Sequence, residues 1–387
     1  MAPVIVNDPA LPGMAALLGD EARSLLEVAV RALGAELVSY RPYQTSYRPG
    51  RRMLVHYECT VVLPSDVLAT WTLVAMTATD GLPEGVLLLD GGSARVAVWR
   101  FPYDPFLPGL PSAVDHARVR EVLDTFGAAP GSPLLAVRSY RATRRAVVEV
   151  RVGRQRLFLK VVRPNRAAQL HRVHLALAEA LPVPPSLGWS PEQGIVVLPA
   201  LPGRTLTEQL GIPDAPLPHP DVILALCDRL ATVPLATSRA VSPVFSAQQH
   251  ARTLTALLPA LGERLEQIVE ALSTAESATA TVHGDLHPAQ LLTTEVVTGL
   301  LDVDRAGRGA TADDHAMLLG HLRVLAETQK PPLRARTEAF AAQLRIRCLE
   351  HSDASDLSLR EAAVMLGLAT APFRLLEDAW RSTTEHR

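Results

Sequence analysis

The pattern of hydrophobic and polar positions predicts a first half rich in strands. Runs of β-branched and aromatic residues predict four strands before position 130, at 35–40, 53–63, 70–76 and 94–101. Apolar residues at helical spacing predict helices at 20–33 and 112–124. The Gly- and Pro-containing segment 126–133 then predicts a boundary. We therefore expect residues 1–130 to form a small α/β domain that packs against the neighbouring strand-rich region.

The rest of the chain shows a second group of strands and then a long helical region. Residues 134–163 predict three strands, 167–181 a helix and 195–201 another strand, ending at the turn Pro202-Gly203. Helical patterns dominate from 205 onward, apart from one hairpin near 291–301. We predict an α+β fold with a β-rich part at 131–201 and a helical part at 202–387.

A short sequence echo links the two strand-rich regions. SYRPGRR at 46–52 and SYRATRR at 139–145 match at five of seven positions, and each enters an apolar strand. A duplicated strand–turn–strand unit explains the echo, and coincidence between two basic hairpins explains it as well.

Composition excludes several classes of protein. The 387 residues are 48% hydrophobic and 20% charged, as in soluble proteins with large cores. The first residues lack a basic signal-peptide segment, and no apolar run is long enough to span a membrane. Cys59, Cys227 and Cys348 are too few and too scattered for a disulfide framework or a zinc site, which favours the cytoplasm. Aromatic residues are only 4%, and no nucleic-acid recognition motif is present.

Charge is close to balanced overall but differs between the halves. Residues 1–200 carry 21 basic and 17 acidic residues, and residues 201–387 carry 17 and 23. A basic half for phosphates and an acidic half for a neutral or cationic acceptor explains this split, as does ordinary fluctuation. Only Lys160 and Lys330 are lysines among the 38 basic residues. Lys160 stands in the apolar strand LFLKVV, which makes it a candidate for chemistry that arginine cannot perform.

The segment TVHGDLHPAQLLTTEVVTGLLDVDRAG, residues 281–307, concentrates the candidate chemistry. Asp285 lies in a polar loop, and Gln290 opens an apolar strand. A turn at Thr298-Gly299 returns the chain to Asp302, so the hairpin brings Gln290 and Asp302 together near Asp285. A carboxylate for a hydroxyl group and oxygen ligands for magnesium are the set that phosphoryl transfer needs.

HGDLHPAQLL followed by LLDVD resembles the aminoglycoside phosphotransferase and choline kinase-like family. The resemblance covers about 134–387 and implies a bilobal protein kinase-like fold, with 131–201 as the N-lobe and 202–387 as the C-lobe. It implies ATP and Mg²⁺ as cofactors. Asp285 would be the catalytic base, and Lys160 would bind phosphates. Gln290, Asp302 and Asp304 would bind the metal.

Further roles are implied by this resemblance. The turn RATRR replaces a glycine-rich loop, so Thr143 and Arg144 either cradle phosphate, together with Arg145, or form a solvated turn. Adenine would bind backbone groups at Ala200 and Leu201. The helix after Lys160 offers no early acid to pair with it, so a His or Gln substitutes, another carboxylate reaches in, or the lysine is less ordered. We expect Asp314 to cap the helix that comes after it.

The N-terminal α/β domain and the Gln at the metal amide also resemble the bacterial maltokinase and glucosamine kinase-like group, so residues 1–130 would be a cap domain. We expect a kinase for a small-molecule acceptor: a sugar, an amino sugar or an aminoglycoside-like compound. The competing hypothesis is a nucleotide-binding regulatory pseudokinase, which the missing helix acid and glycine loop favour. Nucleic acid and membrane are not expected partners, and the oligomeric state is not predicted.

Overall fold

The chain folds into two antiparallel sheets followed by a helical region. A computed structural model describes residues 8–90, 94–125, 131–235, 240, 242–272 and 280–387. Strands dominate up to Pro199 and helices dominate afterwards, which confirms the predicted α+β class. The boundary segment 126–130 lies outside the described residues, so the predicted domain limits stay predictions.

The first sheet has the strand order β1-β2-β3-β5-β4. Its strands are β1 (Glu36–Arg48), β2 (Arg52–Val62), β3 (Leu68–Ala78), β4 (Leu87–Asp90) and β5 (Arg95–Arg100). Helices α1 (Gly13–Leu18) and α2 (Ala22–Ala32) pack against this sheet, whereas α3 (Leu110–Ala113) and α4 (His116–Thr125) follow it in the chain and pack against the second sheet. The four predicted strands are confirmed, whereas β4 was missed because four residues show too little alternation. The helix predicted at 112–124 is in fact two helices, α3 and α4.

The second sheet repeats this order as β6-β7-β8-β10-β9. Its elements are β6 (Leu134–Arg141), β7 (Arg145–Val152), β8 (Gln155–Val162), α5 (Pro164–Ala178), β9 (Gly188–Ser190) and β10 (Ile195–Pro199). Only the second sheet carries a helix, α5, between its third and fourth strands. The three predicted strands, the helix and the final strand are confirmed.

The sequence echo corresponds to equivalent hairpins in the two sheets. Arg48 pairs with Arg52 at the end of the β1–β2 hairpin, and Arg141 pairs with Arg145 at the end of the β6–β7 hairpin. The shared register and strand order support a duplicated unit that extends over a whole five-stranded sheet.

The helical region begins after β10 and contains the remaining elements. Its helices are α6 (Leu206–Leu210), α7 (Pro220–Thr232), α8 (Pro243–Leu257), α9 (Gly262–Ala271), α10 (Thr311–Thr328), α11 (Pro331–Cys348), α12 (Ala354–Ala369), α13 (Ala371–Arg374) and α14 (Trp380–His386). Its short strands are β11 (Arg204–Thr205), β12 (Ala280–Val282), β13 (Leu291–Thr293), β14 (Val297–Leu300) and β15 (Gly307–Gly309). Among the described residues, 3₁₀ turns lie at Pro259–Leu261, Pro288–Gln290 and Val303–Arg305.

The main core of this region forms around the β13–β14 hairpin. Leu291 and Leu300 pack with apolar residues of α7, α10 and α11. The apolar side of the hairpin is therefore held by these three helices, and its polar end faces the second sheet. Among the described residues, no helix has the length and apolar character needed to cross a membrane.

The first sheet contacts the second sheet around Tyr140. The indole N–H of Trp99 donates to the Tyr140 hydroxyl at 3.1 Å, and the ring of His56 lies 5.3 Å from the Tyr140 ring. The buried carboxylate of Asp104 accepts hydrogen bonds from the Tyr140 hydroxyl (2.9 Å) and from the backbone N–H groups of Phe106 (2.9 Å) and Thr143 (2.7 Å). Asp104 thus ties the segment after the first sheet to the β6–β7 turn.

The first sheet also packs against the C-terminal helices, beyond the contact that we expected. The Thr45 hydroxyl donates to the Phe373 carbonyl at 3.3 Å, and the rings of Tyr47 and Phe373 lie 6.2 Å apart. Phe373 and Trp380 belong to the same core cluster as the first sheet. Helix α13 is therefore held by strand β1.

We predict that Asp104→Asn will destabilise the fold by about 3 kcal/mol, because an amide nitrogen would face one of three donors and leave it unsatisfied. The melting temperature should fall by several degrees. Asp20→Asn, at an exposed position, is the matched control and should melt like the wild type. An unchanged melting temperature for Asp104→Asn would contradict this role.

Candidate active site

The loop that carries Asp285 is held by backbone hydrogen bonds. It runs from β12 to the 3₁₀ turn Pro288–Gln290. Gly284 has φ of +75°, and a Cβ there would lie 2.8 Å from the Arg305 carbonyl oxygen. A residue with a side chain would therefore be strained and would clash. This explains the glycine before Asp285.

Asp314 anchors the same loop from helix α10. Its Oδ2 accepts the N–H of His283 at 2.7 Å, and its Oδ1 accepts the N–H of Gly284 at 2.9 Å. Burial raises the pKa of Asp314 to about 6, although the charge of His283 and these hydrogen bonds oppose the shift. The expected capping role is wrong, since α10 has no side-chain cap. The Asp314 carboxylate binds backbone N–H groups of the Asp285 loop and not those of its own helix.

His283 links the loop to the segment that directly follows β14. Its Nε2 donates to the Leu301 carbonyl at 2.8 Å, since a carbonyl oxygen only accepts. His287 stacks on His321 of α10 with 4.7 Å between the ring centroids, and its Nε2 lies 3.0 Å from the Gln290 Nε2. These two histidines support the loop through contacts on both sides of Asp285.

The β13–β14 hairpin brings Gln290 to Asp302, as the spacing predicted, but its turn is at 294–296, and the predicted turn residues Thr298 and Gly299 lie in β14. The Gln290 amide Nε2 lies 3.3 Å from the Asp302 Oδ2. Asp302 itself has φ 56° and ψ 44°, a left-handed conformation that is costly for a residue other than glycine. Its side chain is thereby aimed away from the hairpin core and toward the second sheet.

Two cations from the second sheet hold Asp302 and Asp304. The Lys160 Nζ lies 2.6 Å from the Asp302 Oδ1 and also pairs with Asp304. The Arg145 guanidinium donates to both Asp302 oxygens, at 3.1 and 2.8 Å, and to the Asp304 Oδ2 at 3.1 Å. Lys160, Asp302 and Asp304 are largely buried, and the group that they form with Arg145 is hereafter the ion cluster.

The contacts within the cluster keep Asp302 and Arg145 charged. Burial alone would raise the pKa of Asp302, but the charges of Lys160 and Arg145 hold that pKa below its usual range. Burial lowers the pKa of Arg145, and the charges of Asp302, Asp304 and Asp285 more than restore it. Asp285 therefore lies within the same electrostatic field as the cluster.

The missing helix acid is replaced by these two carboxylates. His171 of α5 lies 2.8 Å from the Ser186 hydroxyl, and the His174 Nδ1 donates to the Pro184 carbonyl at 2.7 Å. Neither histidine bonds to Lys160. Of the alternatives that the sequence left open, a carboxylate from elsewhere reaching Lys160 is the one observed.

Some predicted nucleotide contacts are not brought into the cluster. Thr143 is buried with φ 65°, its N–H is donated to Asp104, and its carbonyl accepts from the Arg163 Nε at 2.8 Å. The predicted phosphate cradle at Thr143 is therefore a structural turn. Arg144, one residue on, is exposed beside the site.

The predicted adenine contacts differ from each other. The Ala200 N–H is donated to the Arg156 carbonyl at 3.0 Å, so this donor is already used. Within the described part of the chain, the Leu201 N–H has no backbone partner. Leu201 remains the free donor at the end of β10, whose Val196 lies opposite Lys160.

Arginines that the sequence did not single out surround Asp285. The Arg305 Nη1 lies 3.4 Å from the Asp285 Oδ1. Asp285 also acts on Arg141 and Arg374: burial lowers the pKa of each, and the Asp285 charge partly opposes this. Arg305 directly follows the Asp302–Asp304 motif, which was a usable signal. Arg374 is too distant in sequence for any pattern to reveal it.

The cluster has a donor set that suits magnesium in the presence of phosphates. Across the described ranges, no three His, Cys, Asp or Glu side chains form a metal site by themselves. Two carboxylates and the Gln290 amide nevertheless supply oxygen ligands. Mg²⁺ is commonly held by one or two carboxylates together with substrate phosphates. The residues present therefore fit a magnesium–nucleotide complex rather than a bare metal.

Comparison with known proteins places these residues in a family context. Residues 138–350 match the model of the APH phosphotransferase enzyme family. None of the curated proteins with which the chain was compared matches it.

Solved structures to which the chain is similar include two aminoglycoside phosphotransferases and a macrolide phosphotransferase. An aminoglycoside-3'-phosphotransferase of type VIII is 24% identical, covering 63% of this chain and 96% of that one, with a TM-score of 0.45. A macrolide 2'-phosphotransferase from Brachybacterium faecium is 18% identical over 70% and 96% of the chains, with a TM-score of 0.41. A thermostable aminoglycoside phosphotransferase bound to ADP and hygromycin B is 15% identical over 69% and 95%, with a TM-score of 0.48. Likeness at this level carries no information about the acceptor of this chain.

We predict that Asp314→Asn will loosen the Asp285 loop, because the asparagine amide nitrogen cannot accept one of the two backbone N–H groups. Hydrogen–deuterium exchange of His283 and Gly284 should accelerate by at least about tenfold. The wild-type loop should loosen in the same way as pH falls through about 6, where Asp314 takes up a proton. Asp228→Asn on the exposed side of α7 is the control. Unchanged protection in Asp314→Asn would rule out the anchoring role.

Proposed function

The chain belongs to the APH phosphotransferase enzyme family, and on that premise we propose that it transfers the γ-phosphate of ATP to a hydroxyl group of a small molecule. Asp285 would act as the base, and Mg²⁺ would be required. The observation that carries the proposal is the ion cluster of Lys160, Arg145, Asp302 and Asp304 beside the Asp285 loop. Phosphoryl transfer depends on such charges being held in place before the reaction.

The nucleotide would lie between the second sheet and the β13–β14 hairpin. The Leu201 N–H is the available donor for adenine, and it follows the strand that lies beside Lys160. Lys160 and Arg145 would bind phosphate oxygens, exchanging part of their contact with the carboxylates. Arg145 suits this role because its donors already form a bidentate pair with Asp302.

Asp302, Asp304 and Gln290 would hold the metal through their side-chain oxygens. When bound, magnesium supplies positive charge that neutralises the phosphates as negative charge shifts toward the leaving group. The Gln290 amide must turn its oxygen toward the metal, and its Nε2 then faces the other way. The pKa of Asp302 is held low, so this ligand is already ionised.

Asp285 would orient the acceptor hydroxyl and take its proton. The acceptor oxygen forms a bond to the γ-phosphorus while the bond to the β–γ bridging oxygen breaks. The electron pair of that bond leaves with ADP, and the proton of the hydroxyl passes to Asp285. Asp314 and His283 position this carboxylate indirectly, through the backbone of its loop.

The competing hypothesis of a regulatory pseudokinase loses one of its two supports. The absent helix acid favoured it, yet Lys160 has two carboxylate partners. The absence of a glycine-rich loop remains in its favour.

The expected acceptor classes are a sugar, an amino sugar and an aminoglycoside-like compound, and a small-molecule partner is proposed in place of nucleic acid or membrane. Cys59, Cys227 and Cys348 are buried and free, which supports a cytoplasmic location.

Asp285→Asn should reduce kcat by at least about a hundredfold, because the amide cannot take the hydroxyl proton. ATP binding should stay within about threefold, since Asp285 would meet the acceptor and not the nucleotide. Steady-state kinetics with the best acceptor from a panel of sugars, sugar derivatives and aminoglycosides, together with calorimetry for Mg·AMP-PNP, measures both effects. Asp228→Asn serves as the control. Retention of most of the activity would show that Asp285 is not the base.

Asp302→Ala should weaken magnesium-dependent nucleotide binding more than Gln290→Ala does. A carboxylate attracts the cation more strongly than a neutral amide, and Asp302 also holds Lys160 and Arg145. Calorimetric titrations of ATP with and without Mg²⁺ separate the metal effect from the rest. Equal effects of the two substitutions, or no effect, would mean that the hairpin is not the metal site.

A further inference from the structure

The charged side chains around the site form two groups that differ in net charge. On the nucleotide side, the cations Lys160 and Arg145 face the carboxylates Asp302 and Asp304, and each cation contacts both. This side is balanced before any ligand binds. Magnesium and phosphates would enter it together, adding charges of both signs.

The Asp285 side carries an excess of positive charge. Arg305, which follows the ion cluster in sequence, contacts Asp285, and Asp285 also acts electrostatically on Arg141 at the end of β6 and on Arg374 at the end of α13. Arg305 pairs with Asp285 at 3.4 Å. In the part of the chain that the structure describes, Arg141 and Arg374 form no ion pair. Three arginines and one carboxylate give this side an excess of positive charge, which Asp302 offsets in part at Arg141 and to which the neighbouring Arg144 adds.

Arg374 is held at this place by the packing of helix α13. The hydroxyl of Thr45 binds the carbonyl of Phe373, and the Phe373 ring packs between Tyr47 of β1 and Trp380. Arg374 is half-buried, unlike an arginine that extends freely into solvent. The first sheet and the C-terminal helices therefore cooperate to fix a cation on which the charge of Asp285 acts.

Arg141 is fixed by the β6–β7 hairpin. It is the register partner of Arg145, whose side chain is occupied by the ion cluster. Burial lowers the pKa of Arg141, and repulsion by Arg145 and Arg374 lowers it further, while the charges of Asp285 and Asp302 partly oppose this. Like charges that are held close together and partly desolvated lower the free energy of unfolding. Such arrangements are typical of sites where a ligand of opposite charge binds.

We propose that the acceptor phosphorylated at Asp285 carries an anionic group of its own, a phosphate or a carboxylate, which Arg141, Arg305 and Arg374 bind. The inference rests on the proposed function, because it takes Asp285 as the base for the acceptor. Guanidinium groups bind both anions through paired N–H donors. A polycationic aminoglycoside would be repelled here, and a neutral sugar would leave the arginines without a counterion. The uneven charge of the two halves of the chain therefore does not indicate a cationic acceptor, since the arginines around Asp285 come from both halves.

Binding of matched ligands tests the inference directly. The full-length protein is first saturated with Mg·AMP-PNP, so that added anions cannot use the nucleotide phosphate site. Calorimetry then compares glucose with glucose 6-phosphate and glucuronate, ribose with ribose 5-phosphate, and glycerol with glycerol 3-phosphate. At least one anionic member should bind about tenfold or more tightly than its neutral partner, and added salt should reduce the difference. The phosphate and carboxylate members distinguish the two anions. If no anionic compound binds better than its neutral partner, the inference is wrong.

Substitution of the arginines identifies the binding groups. Arg374→Gln and Arg141→Gln should each weaken the preferred anion by about tenfold and leave Mg·AMP-PNP binding within about threefold. Arg374→Lys keeps the charge and should retain part of the affinity, which separates charge from packing. Arg31→Gln on the exposed face of α2 is the matched control. Anion affinity that survives both glutamine substitutions would overturn the assignment.

Turnover with Mg·ATP separates the inference from the proposed function. If neutral or cationic acceptors have a higher kcat/KM than every anionic one, the anionic-acceptor inference is wrong and the phosphotransferase proposal stands. If an anion binds in an arginine-dependent way but no compound in the acceptor panel receives phosphate, the anion site stands and the proposed function fails. Asp285-dependent phosphorylation of an anionic acceptor supports both.

Discussion

The ion cluster is the interaction on which the rest of the structure depends, because it joins the second sheet to the helical region through buried charge. Lys160 and Arg145 stand on neighbouring strands, and Asp302 and Asp304 come after the β13–β14 hairpin. Removing one member would leave the other three with one buried charge that is not fully compensated, at a cost of about 3–5 kcal/mol. The same pairing keeps Asp302 ionised and holds it in a left-handed backbone conformation. One set of contacts therefore stabilises the junction and prepares it for a nucleotide.

The Asp285 loop obeys a different constraint, which is the satisfaction of buried backbone groups. The two oxygens of Asp314 take the N–H groups of His283 and Gly284, and the His283 ring reaches the Leu301 carbonyl. These bonds connect α10, the loop and Leu301, which directly follows β14 and precedes Asp302. A displacement of α10 would consequently move the proposed base and the metal ligand together. The loop is placed by its backbone, which leaves the Asp285 side chain only partly buried and accessible to an acceptor.

The first sheet extends the site in an indirect way. Its strand order repeats that of the second sheet, yet it has no counterpart of α5 and no equivalent of the ion cluster among the described residues. It contacts the second sheet through Tyr140 and Asp104, and it supports α13 through Phe373. A duplicated sheet without chemistry of its own can still determine substrate preference by holding Arg374 in place.

The sequence by itself determined the secondary structure and the local motifs. Alternation and turn residues revealed both hairpins with the Ser-Tyr-Arg echo, and the spacing from Asp285 to Asp302 placed Gln290 beside Asp302. These features depend on short stretches of chain, where periodicity and turn length constrain geometry. Only the tertiary structure decided which carboxylates pair with Lys160, that Thr143 and Ala200 have their N–H groups occupied, and that Asp285 acts electrostatically on Arg374. Those facts depend on contacts between residues 39 to more than 140 positions apart, or on which of several acceptors a backbone N–H group binds. A local sequence pattern determines neither of these.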